Sequence, residues 1–291
     1  MSKPTRYWLI KPLPRPVVPF PQETEQSYLK RLGDKNKVLV QRLLNQSHWL
    51  NSQQDYIDRL AIASGQPRVS LLHAIPLLGQ QTGPFIPGRP DRSPALACRH
   101  CVARRTGNYT LVSPVTAWKS HFHDHVCLRH RLWIGKAVAY YHQQTDLSGL
   151  PDVVDAQRRH YRLLRRYGHT VLDACYEHCS ALWAAVLTRG YRLSDRHRRL
   201  EAMGADPHTQ IWDPRRHIAV YPEVVEAMSL YASPHWRRFA LAEGSEYLQF
   251  RAEFIRRLPQ EKVLRRTSKP WFFKELGETA RDIEAAVSRR A

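Results

Sequence analysis

The chain has 291 residues, 43% of them hydrophobic, which is enough to build folded cores and excludes wholesale disorder. Lysine and arginine number 45 against 26 aspartates and glutamates, a net charge of +19. A surplus of that size carries a self-repulsion cost and points to a polyanionic partner, with nucleic acid first and an anionic membrane surface second.

The membrane reading is the poorer one. No apolar run approaches the length of a spanning helix, and the opening MSKPTRYWLIKPLPRPVVPFP is too broken by prolines for a signal peptide. Five cysteines, an odd number, do not suit a secreted disulfide framework. The expectation is a soluble, cytoplasmic, nucleoid-associated protein.

Residues 1–22 are proline-rich and aperiodic, an extended arm. Helical patterning starts at Thr24, with Tyr28, Leu29 and Leu32 at three- and four-residue spacing, and a further helix is expected over Val38 to Leu44. In DYIDRLAIASGQPRVSLLHAIPLL, Ile57, Leu60 and Ala61 share a face, Ser64–Gly65–Gln66 break the pattern, and Val69, Leu71 and Leu72 follow. Helix, glycine turn, helix is the outline of a DNA-reading helix-turn-helix and equally of a structural helical hairpin. Residues 80–95 read as a Gly/Pro linker, and YTLVSP as a strand-like piece beyond it.

Two short stretches then hold three of the five cysteines. Cys98 and Cys101 in ACRHC form a C-x2-C knuckle, and Cys127 and His130 in HVCLRH form a C-x2-H knuckle 25 residues on. Zinc takes four soft or borderline ligands in a tetrahedron, and a two-residue spacer presents two ligands from one tight turn. All four ligands come from protein, so the expected cofactor is one structural zinc ion. Trp118 and Trp133 flank the second knuckle and are expected to pack the small core of the finger. His100, His121, His123 and His125 lie nearby, as rival ligands or as surface and phosphate-facing histidines.

From Pro151 the chain is helical. The first helix runs to Tyr167 and stops at Gly168; Val153, Ala156, His160, Leu163, Leu164 and Tyr167 fall on one side, and Arg158, Arg159, Arg162, Arg165 and Arg166 on the other. Those five arginines are the candidate DNA contacts. A second helix, Thr170 to Thr188, carries Leu172, Leu182, Trp183 and Val186 and is expected to be buried. It also holds Cys175 and Cys179 at i, i+4, a spacing that could chelate a metal but suits buried apolar thiols better. A third helix follows the Ser194 cap, a fourth follows Pro222, a fifth spans Glu246 to Leu258, and the tail turns helical from Lys274. The reading is therefore of a mainly α protein in four parts. These are an arm plus helix-turn-helix-like unit (1–85), a Cys3His ribbon or finger (86–145), a basic helical domain (146–258) and a basic, helical tail (259–291).

PFPQETEQSYLKRL, then LAIASGQPRVSLL, then ACRHC, Trp118 and HVCLRHRLWI, in that order over roughly residues 15–140, resemble the TniQ/TnsD family. The resemblance implies a target-selection adaptor in transposition and DNA recombination. Such a protein binds DNA or a DNA-bound guide complex, recruits an AAA+ ATPase that licenses the transposase, and has no catalytic chemistry of its own. A second copy of the chain, as a homodimer, is a further candidate partner. The sequence agrees in lacking a G-x-x-x-x-G-K-[ST] loop. Two other functions use the same parts: a transcription regulator or other chromosomal DNA-binding protein, and a metal-dependent nuclease built on HFHDH with Asp124 as its carboxylate.

Overall fold

The computed structural model describes residues 11–40, 53–78, 92–107, 114–188, 194–206, 213–258 and 270–290. Most of the helix expected at Val38 to Leu44, most of the linker and the YTLVSP segment lie outside them. Among the described residues the protein is mainly helical, with ten α-helices and two two-stranded antiparallel sheets. The chain divides into two compact units, one of residues 1–120 with 139–142 and the other of 121–138 with 143–291.

In the first unit, α1 (Glu25–Asn36) begins where Thr24 accepts a hydrogen bond from the Ser27 amide, and it ends at Lys37 in the left-handed conformation. Its apolar positions Tyr28, Leu29 and Leu32 are buried with Ile57 and Leu60 of α2 (Gln53–Ser64) and Leu71 of α3 (Arg68–Ala74). Gly65, at φ +65°, makes the turn between α2 and α3, a conformation that costs glycine least. Of the apolar residues read on α3, only Leu71 goes inward; Val69 and Leu72 are exposed. The described part of the arm, residues 11–22, packs down: Val17 is buried, its carbonyl accepts from the Tyr28 hydroxyl at 2.9 Å, and the Leu13 amide donates to Ala63 O.

Glu23, fully buried, ties this unit together. Its two oxygens accept from Arg31 at 2.8 and 2.6 Å, from the Ser27 hydroxyl at 2.8 Å and from the Phe20 amide at 2.8 Å. The backbone beside it joins a sheet edge, with Thr24 N donating to Thr116 O and Trp118 N to Gln22 O. Residues 92–95 correct the linker reading, because β1 (Arg92–Leu96) pairs antiparallel with β2 (Thr116–Ser120) and places Pro94 opposite Trp118. A two-stranded ladder tolerates that proline, since its missing N–H can face away from the partner strand. A short helix unread from sequence, α4 (Arg99–Thr106), follows β1 directly and stops at Gly107.

In the second unit, β3 (Val126–Cys127) and β4 (Leu132–Trp133) form a minimal hairpin. Then α5 (Pro151–Thr188) runs in two pieces across a break at Gly168 (φ 79°, ψ 171°), as the glycine implied. Its second piece is buried as expected: Leu172, Trp183 and Val186 are solvent-inaccessible. The remaining helices are α6 (Ser194–Ala202), α7 (Pro214–Tyr231), α8 (Pro234–Leu241), α9 (Ser245–Arg257) and α10 (Pro270–Arg290). Both α7 and α10 pack on α5.

Three helices differ from the sequence reading. The fourth helix starts at Pro214, capped by Asp213, and continues through Pro222. An internal proline costs about 3 kcal/mol, and burial of Ile218, Tyr221, Val224, Val225 and Met228 on the same helix outweighs it. The tail helix begins at Pro270, four residues ahead of Lys274, and α8 was not read at all. Trp133 corrects a further expectation, since it packs with Leu147, Val153 and Tyr221 in the core of the helical unit.

Candidate metal centres and a basic helix face

Each knuckle is built by its local chain. β1 delivers Cys98 to the N-cap of α4 in extended conformation, and the first helical turn brings Cys101 round beside it. Cys98 is buried and Cys101 half-buried. In the second knuckle the His130 amide donates to Cys127 O at 3.2 Å, and Arg131 turns the chain at φ +48°. Cys127 Sγ and His130 Nδ1 are thereby 3.6 Å apart. The ligand atoms of Cys98, Cys101, Cys127 and His130 all lie within 4.8 Å of one another, a Cys3His cluster able to hold a metal ion. All five cysteines are free thiols.

Cys175 and Cys179 are inaccessible, within the helical core. Burial pushes the Cys175 thiol up to about 12 and the Cys179 thiol well above its ordinary value, so neither offers a thiolate near neutral pH.

His100 and His121 are exposed. His123 and His125 are not surface or phosphate-facing histidines, being 1% and 0% accessible. His125 stacks between Trp133 (ring centroids 5.5 Å apart) and Tyr176 (4.6 Å), and its Nε2 contacts Phe122 O at 2.8 Å. Burial holds it down to about 3, so it packs as a neutral ring. Gly135 permits this, because a Cβ there would meet His125 Nδ1 at 2.6 Å.

His123 begins a chain of polar contacts through the second unit. Its Nδ1 is 3.0 Å from His160 Nε2, and His160 Nδ1 is 2.8 Å from the Tyr221 hydroxyl. That hydroxyl donates to Gln157 Oε1 at 3.0 Å, which also accepts from the His125 and Val126 amides; Gln157 Nε2 donates to His123 O. On its other side, His123 Nε2 is 2.7 Å from Asp173 Oδ1. His123, His169 and Asp173 form a second group whose ligand atoms lie within 4.8 Å of one another. Asp124, the carboxylate expected beside these histidines, instead accepts from the Tyr161 hydroxyl at 3.1 Å and is not in that group. His169 and Asp173 were missed from sequence; their H-x3-D spacing puts both on one helix face and was the available signal.

On the first piece of α5, Val153, Ala156 and His160 are buried and Leu163, Leu164 and Tyr167 half-buried, while all five arginines are exposed. Two of the five are neutralised by acids. Arg158 pairs with Asp155 at 2.6 Å, and Arg159 pairs with Glu226 of α7. Burial, then Arg162 and Arg257, lower the Arg159 guanidinium from its ordinary value. Arg162, Arg165 and Arg166 have no carboxylate partner among the described residues, and Arg166 lies over the Tyr167 ring at 5.2 Å. Arg159, Arg162, Arg166, Arg256 and Arg257 line one groove, with Glu226 among them.

No family model, no curated protein and no solved structure matches this chain. Among the described residues no helix is long and apolar enough to cross a membrane.

Proposed function

We propose that this protein is a zinc-containing, DNA-binding adaptor of the TniQ/TnsD kind, which selects target DNA and recruits an AAA+ ATPase and its transposase. The observation that carries the reading is the gathering of Cys98, Cys101, Cys127 and His130, the most specific part of the family resemblance, into one cluster. The donor set of three thiolates and an imidazole suits zinc, with no position left for substrate; its role is structural. The exposed arginines of α5 and the net charge of +19 support double-stranded DNA as the partner. The α2–α3 hairpin is the second candidate DNA element, with the exposed residues of α3 available to a groove.

The test is capture of the tagged full chain from its native host, with bound DNA sequenced and bound proteins identified. An AAA+ ATPase and a transposase among the partners support the adaptor. Their absence, with bound DNA concentrated at promoters, replaces it with a transcription regulator. Incubated with duplex DNA and Mg²⁺ or Mn²⁺, the protein should leave the DNA intact. Cleavage that disappears in His123→Ala overturns the adaptor in favour of a nuclease.

A further inference from the structure

We propose that His123, His169 and Asp173 form a second metal site, which takes a divalent cation of the zinc class and is separate from the Cys3His cluster. The proposal does not depend on the adaptor reading. It rests on geometry and on the direction of the hydrogen bonds behind His123.

Gln157 Oε1 is fixed as an acceptor by the two backbone amides that donate to it, so the Tyr221 hydroxyl must also donate there. Having spent its proton, Tyr221 accepts from His160 Nδ1, at 2.8 Å. His160 is fully buried, and with its Nδ1 donating to Tyr221 the neutral ring leaves Nε2 as the acceptor facing His123 Nδ1. His123 Nδ1 therefore carries the hydrogen of that bond. A neutral His123 then has a bare lone pair on Nε2, and that lone pair lies 2.7 Å from a carboxylate oxygen of Asp173. A lone pair facing a carboxylate oxygen at that distance is repelled by it, and a cation between the two relieves the repulsion. The His123 side chain is 1% accessible, so Nε2 faces Asp173 rather than solvent.

The cation could be a proton on Nε2 or a metal ion, and His169 decides between them. A proton bridging His123 and Asp173 has no use for a second imidazole, yet the His169 ring sits 5.1 Å from that of His123, with a ring nitrogen inside the cluster. His169 stands immediately after the Gly168 break and one helical turn before Asp173, so the two present ligand atoms from the same face. Two imidazoles and a carboxylate make a donor set for zinc or a similar d-block ion rather than for calcium or magnesium. The contact from His123 Nδ1 to His160 is the kind of outer-shell hydrogen bond that fixes the tautomer of a metal-bound histidine. His169 is exposed, so the site opens to solvent, and three protein ligands leave a position for water. Around zinc, ligand atoms sit about 3.3 Å apart. Loading should thus spread the His123–Asp173 contact by about half an ångström, and binding expels the Nε2 proton from any His123 that carries one.

The experiment measures metal per chain by elemental analysis on the full-length protein, saturated with zinc and then freed of excess, and records absorption of the cobalt(II)-substituted form. Two zinc ions per chain are expected. One should be lost in His169→Ala and in Asp173→Asn, with the thiolate-to-cobalt charge-transfer band of the Cys3His cluster retained. Cys127→Ser should lose that band and keep the His169-dependent metal, so failure of the cluster and failure of the second site read differently. His169 is exposed, so its alanine variant should keep the parent's circular dichroism. Equal zinc content in the parent, His169→Ala and Asp173→Asn overturns the proposal. So does a His123 ring that nitrogen-edited NMR shows still protonated at Nε2 under saturating zinc; the pair is then an imidazolium–carboxylate bridge.

Discussion

Replacing Arg162, Arg165 and Arg166 together with glutamine tests whether the basic face of α5 holds phosphate. The choice of arginines comes from the structure. Arg158 is already paired with Asp155, and Arg159 with Glu226, so their charges are partly spent within the protein. The other three are exposed without a carboxylate partner among the described residues. Each arginine that neutralises one phosphate contributes about 0.9 to the slope of log affinity against log salt, so the triple variant should be shallower by about 2.7. Between about 50 and about 200 mM salt, the parent should then lose roughly 40-fold more affinity than the variant. Glutamine has nearly the helix propensity of arginine and the sites are exposed, so stability should change by no more than about 0.5 kcal/mol. The assay is fluorescence anisotropy with two unrelated duplexes over a salt series, with a thermal melt alongside. Both duplexes should be weakened equally, and Arg158→Gln alone should change the slope much less. A triple variant with the parent's affinity and slope refutes the reasoning. The phosphate contacts would then belong to the α2–α3 hairpin or the basic tail.

Cys98→Ser should remove one zinc per chain and expose the amides of α4 to hydrogen exchange, because structural zinc supplies much of the local folding free energy. Freshly purified parent protein with no zinc by elemental analysis would falsify that reading. Glu23→Gln should cost about 3–5 kcal/mol in urea denaturation, since it leaves Arg31 buried and without its ion partner. Adding Arg31→Met should recover a large part of the loss, and a single variant as stable as the parent sinks the argument. Stability should also fall as pH drops from 7 toward 4. Burial, then Lys136 and Arg216, lower His217 from 6.5 to about 4, so the unfolded chain takes up the proton first. A shift of that size is worth roughly 3 kcal/mol at most. His217→Gln should flatten the decline, and an unchanged pH profile counts against it.

The two knuckles were legible in the sequence because their chemistry is local. A two-residue spacer closes one tight turn whatever the rest of the chain does, so Cys98, Cys101, Cys127 and His130 could be named from spacing alone. The same holds for the faces of α5, since a 3.6-residue period sorts Val153, Ala156 and His160 from the five arginines before any neighbour is known. Gly168 is likewise a local signal, and the break in α5 falls where it pointed.

Other features depended on partners distant in sequence, and only tertiary structure could decide them. Pro222 reads as a helix start, yet the burial of one face of α7 against α5 carries the helix through it. Which arginines keep their charge for a ligand was settled partly by Glu226, a residue of another helix. His123 and His125 look like surface histidines in HFHDH, but packing against Trp133, His160 and Tyr176 places them in the interior. His123 meets His169 and Asp173 only because α5 passes the loop that carries it. Period and spacing act over one or two turns of chain; burial and ligand convergence are properties of surfaces that meet, and a linear pattern does not record which surfaces those are.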